Sequence, residues 1–102
     1  MFSNFDFDVI VHFSPPVVVI SVKVMAVPVD KQLQSTLNRR LLELNASDLV
    51  HGAYGIEENN IVMAEALELS HLDFEEFQAA YESITVALAS HLREIGTYRE
   101  AR

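Results

Sequence analysis

The chain has 102 residues, half of them hydrophobic, and a formal net charge of −8, which predicts one folded domain over residues 1–102. It contains no cysteine, so disulfide bonds, thiolate metal sites and cysteine nucleophiles are excluded. Between Leu41 and Leu92 there is no lysine or arginine, and nucleic acid or an anionic membrane surface would need clustered cations. We expect a cytoplasmic protein that binds another protein, because neither a signal peptide nor a bilayer-spanning run of roughly 20 residues is evident.

Two strands are predicted at the start of the chain. Phe5 to Phe13 alternates apolar and polar or mixed positions with the period of two that is typical of a strand. Ser14-Pro15-Pro16 then predicts a tight connection. Val17 to Val27 is apolar or β-branched at nearly every position, which predicts a second strand with two apolar faces. We expect a second subunit to cover the face that carries Val17, Val19 and Met25.

A helix and a hairpin follow. Leucines at a spacing of three or four predict a helix over residues 31–45, with Asp30 as its N-cap. Leu49 to Glu57 and Ile61 to Leu69 predict two more strands, joined by a two-residue turn in Glu58-Asn59-Asn60 in which the paired asparagines adopt left-handed backbone. The glycines of the third strand, Gly52 and Gly55, indicate a bulge or a close approach of the backbone.

The longest periodic segment predicts a second helix over residues 73–95. Asp73 is the expected N-cap, with Glu76 three residues later as in a capping box, and Gly96 is the expected stop. Its apolar residues are Phe74, Phe77, Tyr81, Ile84, Leu88, Leu92 and Ile95. A strip of small residues lies beside them on the helix: Ala79, Ser83, Val86, Ala89 and Ser90.

The order β-β-α-β-β-α predicts an α+β fold, an antiparallel sheet with helices packed on it. Small side chains allow another element to approach closely, and they favour a homodimer when combined with the two-sided second strand. The predicted interaction surface consists of Val17, Val19, Met25, Ala79, Ser83, Val86 and Ser90.

No set of residues predicts a catalytic, cofactor or metal site. The four histidines, His12, His51, His71 and His91, lack the spacing of a paired metal motif. His71 could bind a metal weakly with neighbouring carboxylates, although a linker histidine is the simpler interpretation. His91, beside the apolar residues of the second helix, is expected to be a packed residue and not a catalyst.

The second half of the chain resembles the YbjN-like family, which is similar in fold to class I type III secretion chaperones. The resemblance rests on Arg40 to Asn45, on Gly52 to Val62, and on the segments Leu67-Glu68-Leu69 and Leu72-Asp73. At the front the chain departs from the family pattern, because members usually carry a leading helix and an extra strand before the part that matches Phe5 to Phe13.

The resemblance implies a small, acidic, cytoplasmic protein, commonly dimeric, that binds proteins and catalyses nothing. It implies binding of extended peptide segments by a mode related to strand addition, and members of the YbjN branch are linked to the regulation of motility and stress. The first hypothesis is therefore a homodimeric, chaperone-like or regulatory protein-binding module. The alternatives are a small-molecule sensor with a pocket between the C-terminal helix and the sheet and, last, a minor enzyme that uses His71.

Overall fold

The computed structural model describes residues 8–49 and 51–99, and it has the element order that the sequence predicts. The elements are β1 (Val9–Ser14), β2 (Val17–Ala26), α1 (Lys31–Ser47), β3 (Ala53–Glu57), β4 (Asn60–Glu68), a 3₁₀ turn (Leu69–His71) and α2 (Phe74–Gly96). Residues 5–7 of the predicted first strand lie outside the described residues. No helix in the described ranges is long and apolar enough to cross a membrane.

The four strands form one antiparallel sheet in the order β1-β2-β4-β3. The first hairpin joins β1 to β2 through Pro15-Pro16, and the second joins β3 to β4. Both helices pack on the same face of this sheet, because their buried side chains belong to one core with the strands. The predicted α+β class is therefore confirmed.

The second hairpin turns one residue earlier than the asparagine pair predicts. Glu58 and Asn59 have φ angles of 49° and 68°, the left-handed region that a two-residue hairpin turn requires. Asn60 is already the first residue of β4, and its side-chain amide donates to the carbonyl oxygen of Glu58 at 3.2 Å. The strand register, rather than the residue type alone, decides which two positions turn.

Both helices begin at their predicted N-caps. The carboxylate of Asp30 accepts the backbone N–H of Gln32 at 3.1 Å, and that of Asp73 accepts the N–H of Glu76 at 2.7 Å. The end of α2 differs from the prediction, since Gly96 is its last helical residue and Thr97 is the C-cap. Tyr98 packs against the core, so the chain does not leave the domain at the glycine.

The core lies between the helices and one face of the sheet, which we call the covered face. Its strand residues include Val18, Ile20 and Val22 of β2 with Ile61 and Met63 of β4, all at most 2% exposed. The helices contribute Leu37, Leu41, Leu44, Ala80, Ile84, Leu88 and Ile95. Burying one such aliphatic side chain stabilises a fold by about 1.5–3 kcal/mol, so this interface supplies most of the driving force.

Met25 lies in the core and not on the surface that the sequence predicts. The pairing of β2 with β4 shifts between Lys23 and Met25, so Val24 is an additional residue in the strand. A β-bulge of this kind reverses the alternation of side chains beyond it. Met25 therefore pairs with buried Ile61 and is 7% exposed, whereas Lys23 is exposed on the other face.

Gly52 shows the close backbone approach that the sequence indicates. It has a φ of +81°, and a Cβ at this position would lie 3.3 Å from the carbonyl oxygen of Ala64 and 3.4 Å from a side-chain carbon of Ile84. Its N–H donates to the carboxylate of Glu65 at 2.6 Å. Any larger residue would be strained at this entry to β3.

Candidate protein-binding surfaces

The second face of the sheet, which we call the open face, is not covered by either helix. Residues directly opposite in neighbouring antiparallel strands share a face, and the register places sixteen strand residues here. They are Ile10, His12, Ser14, Val17, Val19, Ser21, Lys23, Ala26, Ala53, Gly55, Glu57, Asn60, Val62, Ala64, Ala66 and Glu68. The side chains at the centre are small and uncharged, Lys23 and Glu57 lie toward one end of the strands, and Glu68 lies at the other end. Of the predicted surface residues, Val17 and Val19 lie here, half-buried.

The edge strand β1 carries three exposed apolar side chains, whereas the opposite edge strand β3 carries one, Ile56, which is 54% exposed. Ile10 is 61% exposed on the open face, whereas Val11 and Phe13 are 47% and 68% exposed on the covered face, beyond the part that the helices reach. β1 pairs only with β2 among the described strands. An edge with free backbone groups and apolar side chains is a template for another strand.

At the opposite edge of the sheet, a side chain occupies the backbone groups of one residue of β3. The amide oxygen of Asn45 accepts the N–H of Tyr54 at 2.8 Å, and its Nδ2 donates to the carbonyl oxygen of Tyr54 at 3.2 Å. Asn45 on α1 thus forms the pair of hydrogen bonds that a neighbouring strand would form with β3. The two edges of the sheet are therefore not equivalent, since in the described part of the chain only the β3 edge has a side chain bonded to its backbone in this way.

The predicted strip on α2 is exposed, but it does not adjoin the open face. Ala79, Val86 and Ser90 are exposed and Ser83 is half-buried. They point away from the sheet, because the opposite side of α2 is packed on the covered face. The predicted interaction surface therefore separates into two surfaces on opposite sides of the domain. The reason is that a strand and a helix in adjacent layers expose their free sides in opposite directions.

His91 is a packed helix residue, as predicted, with polar partners that the sequence does not indicate. It is 7% exposed, its Nδ1 lies 2.8 Å from the hydroxyl of Tyr54, and its Nε2 lies 3.1 Å from a carboxylate oxygen of Asp48. A carboxylate only accepts, so Nε2 carries a proton and donates to Asp48, while Nδ1 and the tyrosine hydroxyl share a hydrogen bond. This cluster joins the end of α1, β3 and α2.

Burial raises the pKa of the Tyr54 hydroxyl, and the negative charges of Asp48 and Glu94 raise it further. Tyr54 is therefore neutral and able to donate to His91. Beside it, Arg40 on α1 forms an ion pair with Glu94 on α2, with Nη2 3.2 Å from Oε1. The hydrogen bond from Arg40 lowers the pKa of Glu94. These links fix α2 against α1 and β3.

The remaining histidines do not form a reactive site. His71 is exposed, and its Nδ1 lies 3.0 Å from the hydroxyl of Ser70. Nδ1 of His51 lies 3.7 Å from the carboxylate of Glu65. In the part of the chain that the structure describes, no group of three or more histidine or acidic side chains could hold a metal ion.

The space between α2 and the sheet is filled by side chains. Ile84, Leu88 and Ile95 of α2 are at most 1% exposed and belong to one cluster with Ile20 and Met63 of the sheet. This is the region in which the alternative function, a small-molecule sensor, would place its pocket. None of these contacts favours that alternative.

Comparison with known proteins agrees with the fold. No curated protein matches the chain. A solved structure, described as the heterodimeric complex ExoU–SpcU from the type III secretion system of Pseudomonas aeruginosa, contains a chain with a similar fold. The TM-score is 0.72 at 13% sequence identity, and the match covers 98% of this chain and 80% of the other. The family model CesT_Tir_1 matches residues 6–101. The chain therefore belongs to the CesT_Tir_1 family of type III secretion chaperones.

Proposed function

We propose that this protein is a cytoplasmic, non-catalytic chaperone-like module that binds an extended segment of another protein and acts as a homodimer. The observation that carries the proposal is the edge position of β1, which among the described strands pairs only with β2 and which exposes Ile10, Val11 and Phe13. Family membership supports the chaperone role. A regulatory role of the YbjN-like type is the finer hypothesis within this proposal.

The partner segment binds as an additional strand beside β1. Its backbone hydrogen-bonds to the outer N–H and C=O groups of β1, which supplies affinity without regard to sequence. Selectivity comes from its side chains, which alternate between the two faces. On the covered face they contact Val11 and Phe13, and on the open face they contact Ile10. The preferred segment therefore has apolar residues at alternate positions, and the net charge of −8 favours basic flanks.

The solved structure with the similar fold is described as a heterodimeric complex from a type III secretion system. By analogy, we propose that the segment bound here belongs to a protein that is kept unfolded locally until it is delivered. The strip Ala79, Ser83, Val86 and Ser90 on α2 is a second proposed contact surface. Val86→Asp places a charge on this strip and should weaken any contact that it makes.

The test compares affinity capture by the wild-type chain with capture by Phe13→Asp, using extracts of the source cells and mass spectrometry. Phe13 is exposed, so the variant keeps the fold, and a carboxylate beside the added strand weakens the apolar contact. We expect a protein that the wild type enriches and the variant does not. Hydrogen exchange of the complex should show new protection of backbone amides in β1.

The matched control is Val29→Asp, at a side chain that is 78% exposed in the connection before α1. It adds the same charge away from β1 and should capture the same protein as the wild type. If capture is equal for all three chains, or if β1 amides gain no protection in the complex, the proposed binding edge is wrong.

A further inference from the structure

We infer that two copies of this chain associate by pairing their β1 strands antiparallel about a two-fold axis, with Val11 of one copy opposite Val11 of the other. The inference rests on the homodimer of the proposed function and names its interface, which that proposal leaves unassigned. Because the partner segment uses the same edge, the pairing also regulates binding. The homodimer is the form without a partner, and a bound segment replaces the second copy.

The backbone of β1 directs its hydrogen-bonding groups outward at alternate residues. The N–H of Leu69 donates to the carbonyl oxygen of Pro16 at 2.9 Å. Pro16 therefore points toward β4, and Val17, the next residue, directs its backbone groups toward β1. Val17 is paired with Ser14, which bonds inward. Because inward and outward positions alternate along a strand, the outward groups of β1 belong to Val9, Val11 and Phe13.

The opposite edge of the sheet agrees with this pattern. Followed through the register of all four strands, the same alternation places outward backbone groups at Tyr54 of β3. Tyr54 is the residue whose N–H and carbonyl oxygen bond to Asn45. No side chain of the described residues bonds in this way to β1, which pairs only with β2 among the described strands. Outward groups of this kind are satisfied by another strand.

The outward groups of β1 are self-complementary under two-fold symmetry. With Val11 opposite Val11, Val9 of each copy lies opposite Phe13 of the other. All three outward residues then exchange both of their backbone hydrogen bonds with the second copy. An axis shifted by one residue would set His12 against His12 and Val9 against Pro15, which has no N–H to donate. The register centred on Val11 is therefore preferred.

The side chains of β1 favour a second copy as the occupant. The strand carries no carboxylate, lysine or arginine, so two copies pair without like charges facing each other, although the chain has a net charge of −8. On the covered face, Phe13, which is 68% exposed in one copy, lies against Val9 of the other, and the two Val11 side chains adjoin. One pair of strands is a small interface, so we expect a reversible dimer that a partner segment displaces.

Disulfide trapping tests the register, because the chain contains no cysteine of its own. In the inferred pairing, Ile10 of one copy lies opposite His12 of the other with Cα atoms about 4.5 Å apart, a separation that a disulfide spans. Under mild oxidation, a mixture of the Ile10→Cys and His12→Cys chains should give mainly the mixed covalent dimer, and each variant alone much less. The matched control mixes Ile10→Cys with Val29→Cys, at an exposed side chain away from β1, and should not link above background.

Sedimentation velocity of the full chain over a range of concentrations measures the association itself. Val11→Asp sets two carboxylates opposite each other, and we expect the dimer dissociation constant to rise about tenfold. Ile56→Asp places the same charge at a similarly exposed side chain of the other edge strand and should keep the wild-type constant. Val11→Pro removes an outward N–H that the sheet of one copy does not use, so it should weaken the dimer without changing the circular dichroism spectrum.

A wild-type chain that is monomeric at every concentration overturns the inference. So does a cysteine mixture that links no better than either variant alone, or a dissociation constant that Val11→Asp leaves unchanged. The covalent dimer should capture the partner only after reduction, and equal capture before and after reduction overturns the shared use of the edge.

The outcomes are separable from those for partner binding. A monomeric chain that captures a partner with new protection of β1 amides overturns this inference and leaves the binding proposal intact. Copies that link through residues 10 and 12, in a chain that captures nothing, support this inference while the binding proposal fails.

Discussion

The covered and open faces of the sheet are built from alternate residues of the same strands, yet they serve different purposes. The covered face holds Ile20, Val22 and Met63, which are inaccessible to solvent and pack against both helices. The open face holds mainly alanine, serine, glycine and valine, with Ile10 and His12 on β1 and charged residues only toward the strand ends. Folding depends on the first face. The second face is only partly buried, so we expect substitutions there to affect stability less.

The largest expected difference in stability between the two faces comes from placing the same negative charge at positions 25 and 23 of β2. Met25→Asp buries a carboxylate without a partner, and we expect a loss of several kcal/mol, enough to unfold a domain of this size. Lys23→Asp places its charge in solvent on the open face and should change the free energy of unfolding by less than about 1 kcal/mol. Urea denaturation followed by circular dichroism measures both. Equal effects would mean that the bulge at Val24 is absent and that the alternation continues unbroken.

A smaller difference in stability is expected when the same substitution, valine to alanine, is made on each face. Val22→Ala removes two carbon atoms from a fully buried site and should cost about 2–3 kcal/mol, from lost burial and the cavity left behind. Val19→Ala removes the same atoms from the half-buried open face and should cost less than about 1 kcal/mol. The two midpoints of urea denaturation, compared at low protein concentration, give the difference directly. A larger loss for Val19→Ala would reverse the assignment of the faces.

The smallest expected effect on stability concerns the polar cluster of Asp48, Tyr54 and His91. Tyr54→Phe leaves Nδ1 of His91 buried without its hydrogen-bond partner, which should cost about 1–2 kcal/mol. Because the folded pKa of Tyr54 is raised above its ordinary value of 10.0, its contribution to stability is complete below pH 10. It is lost as pH rises further, since only the unfolded state ionises.

Stability of Tyr54→Phe should therefore fall less steeply than that of the wild type above pH 10. Tyr81→Phe, at a half-buried tyrosine on α2, is the matched control and should retain the wild-type slope. Thermal unfolding between pH 8 and pH 11, roughly the range in which a tyrosine titrates, tests this. Identical slopes for the wild type and Tyr54→Phe would show that burial of the hydroxyl does not couple to folding.

The sequence predicts the elements well, because each is encoded by neighbouring residues. The caps Asp30 and Asp73 and the leucine spacing of α1 define the helices within a few residues. Val24 is different. Nothing near it distinguishes a bulged valine from a regular one, since the extra residue exists only relative to β4. The sequence places Met25 on the wrong face because the strand register shifts by one residue at this bulge.

The candidate sites were less predictable, because they depend on contacts between distant parts of the chain. Phe13 reads as a core residue, and only the position of β1 at the edge of the sheet explains its exposure. Asp48, Tyr54 and His91 come from three separate elements, and no spacing in the sequence brings them together. The open face could be foreseen in part from the apolar character of Val17 and Val19, but its boundary required the strand order.

The paired hydrogen bonds between Asn45 and the backbone of Tyr54 have a consequence for how many molecules can assemble. A sheet with two receptive edges can polymerise, since each added strand exposes a new one. Here the amide of Asn45 occupies the backbone groups of Tyr54 at the β3 edge. Under the proposed strand addition we therefore expect a guest strand at the β1 edge and one guest per domain. Replacing Asn45 should make the β3 edge more receptive to a second strand.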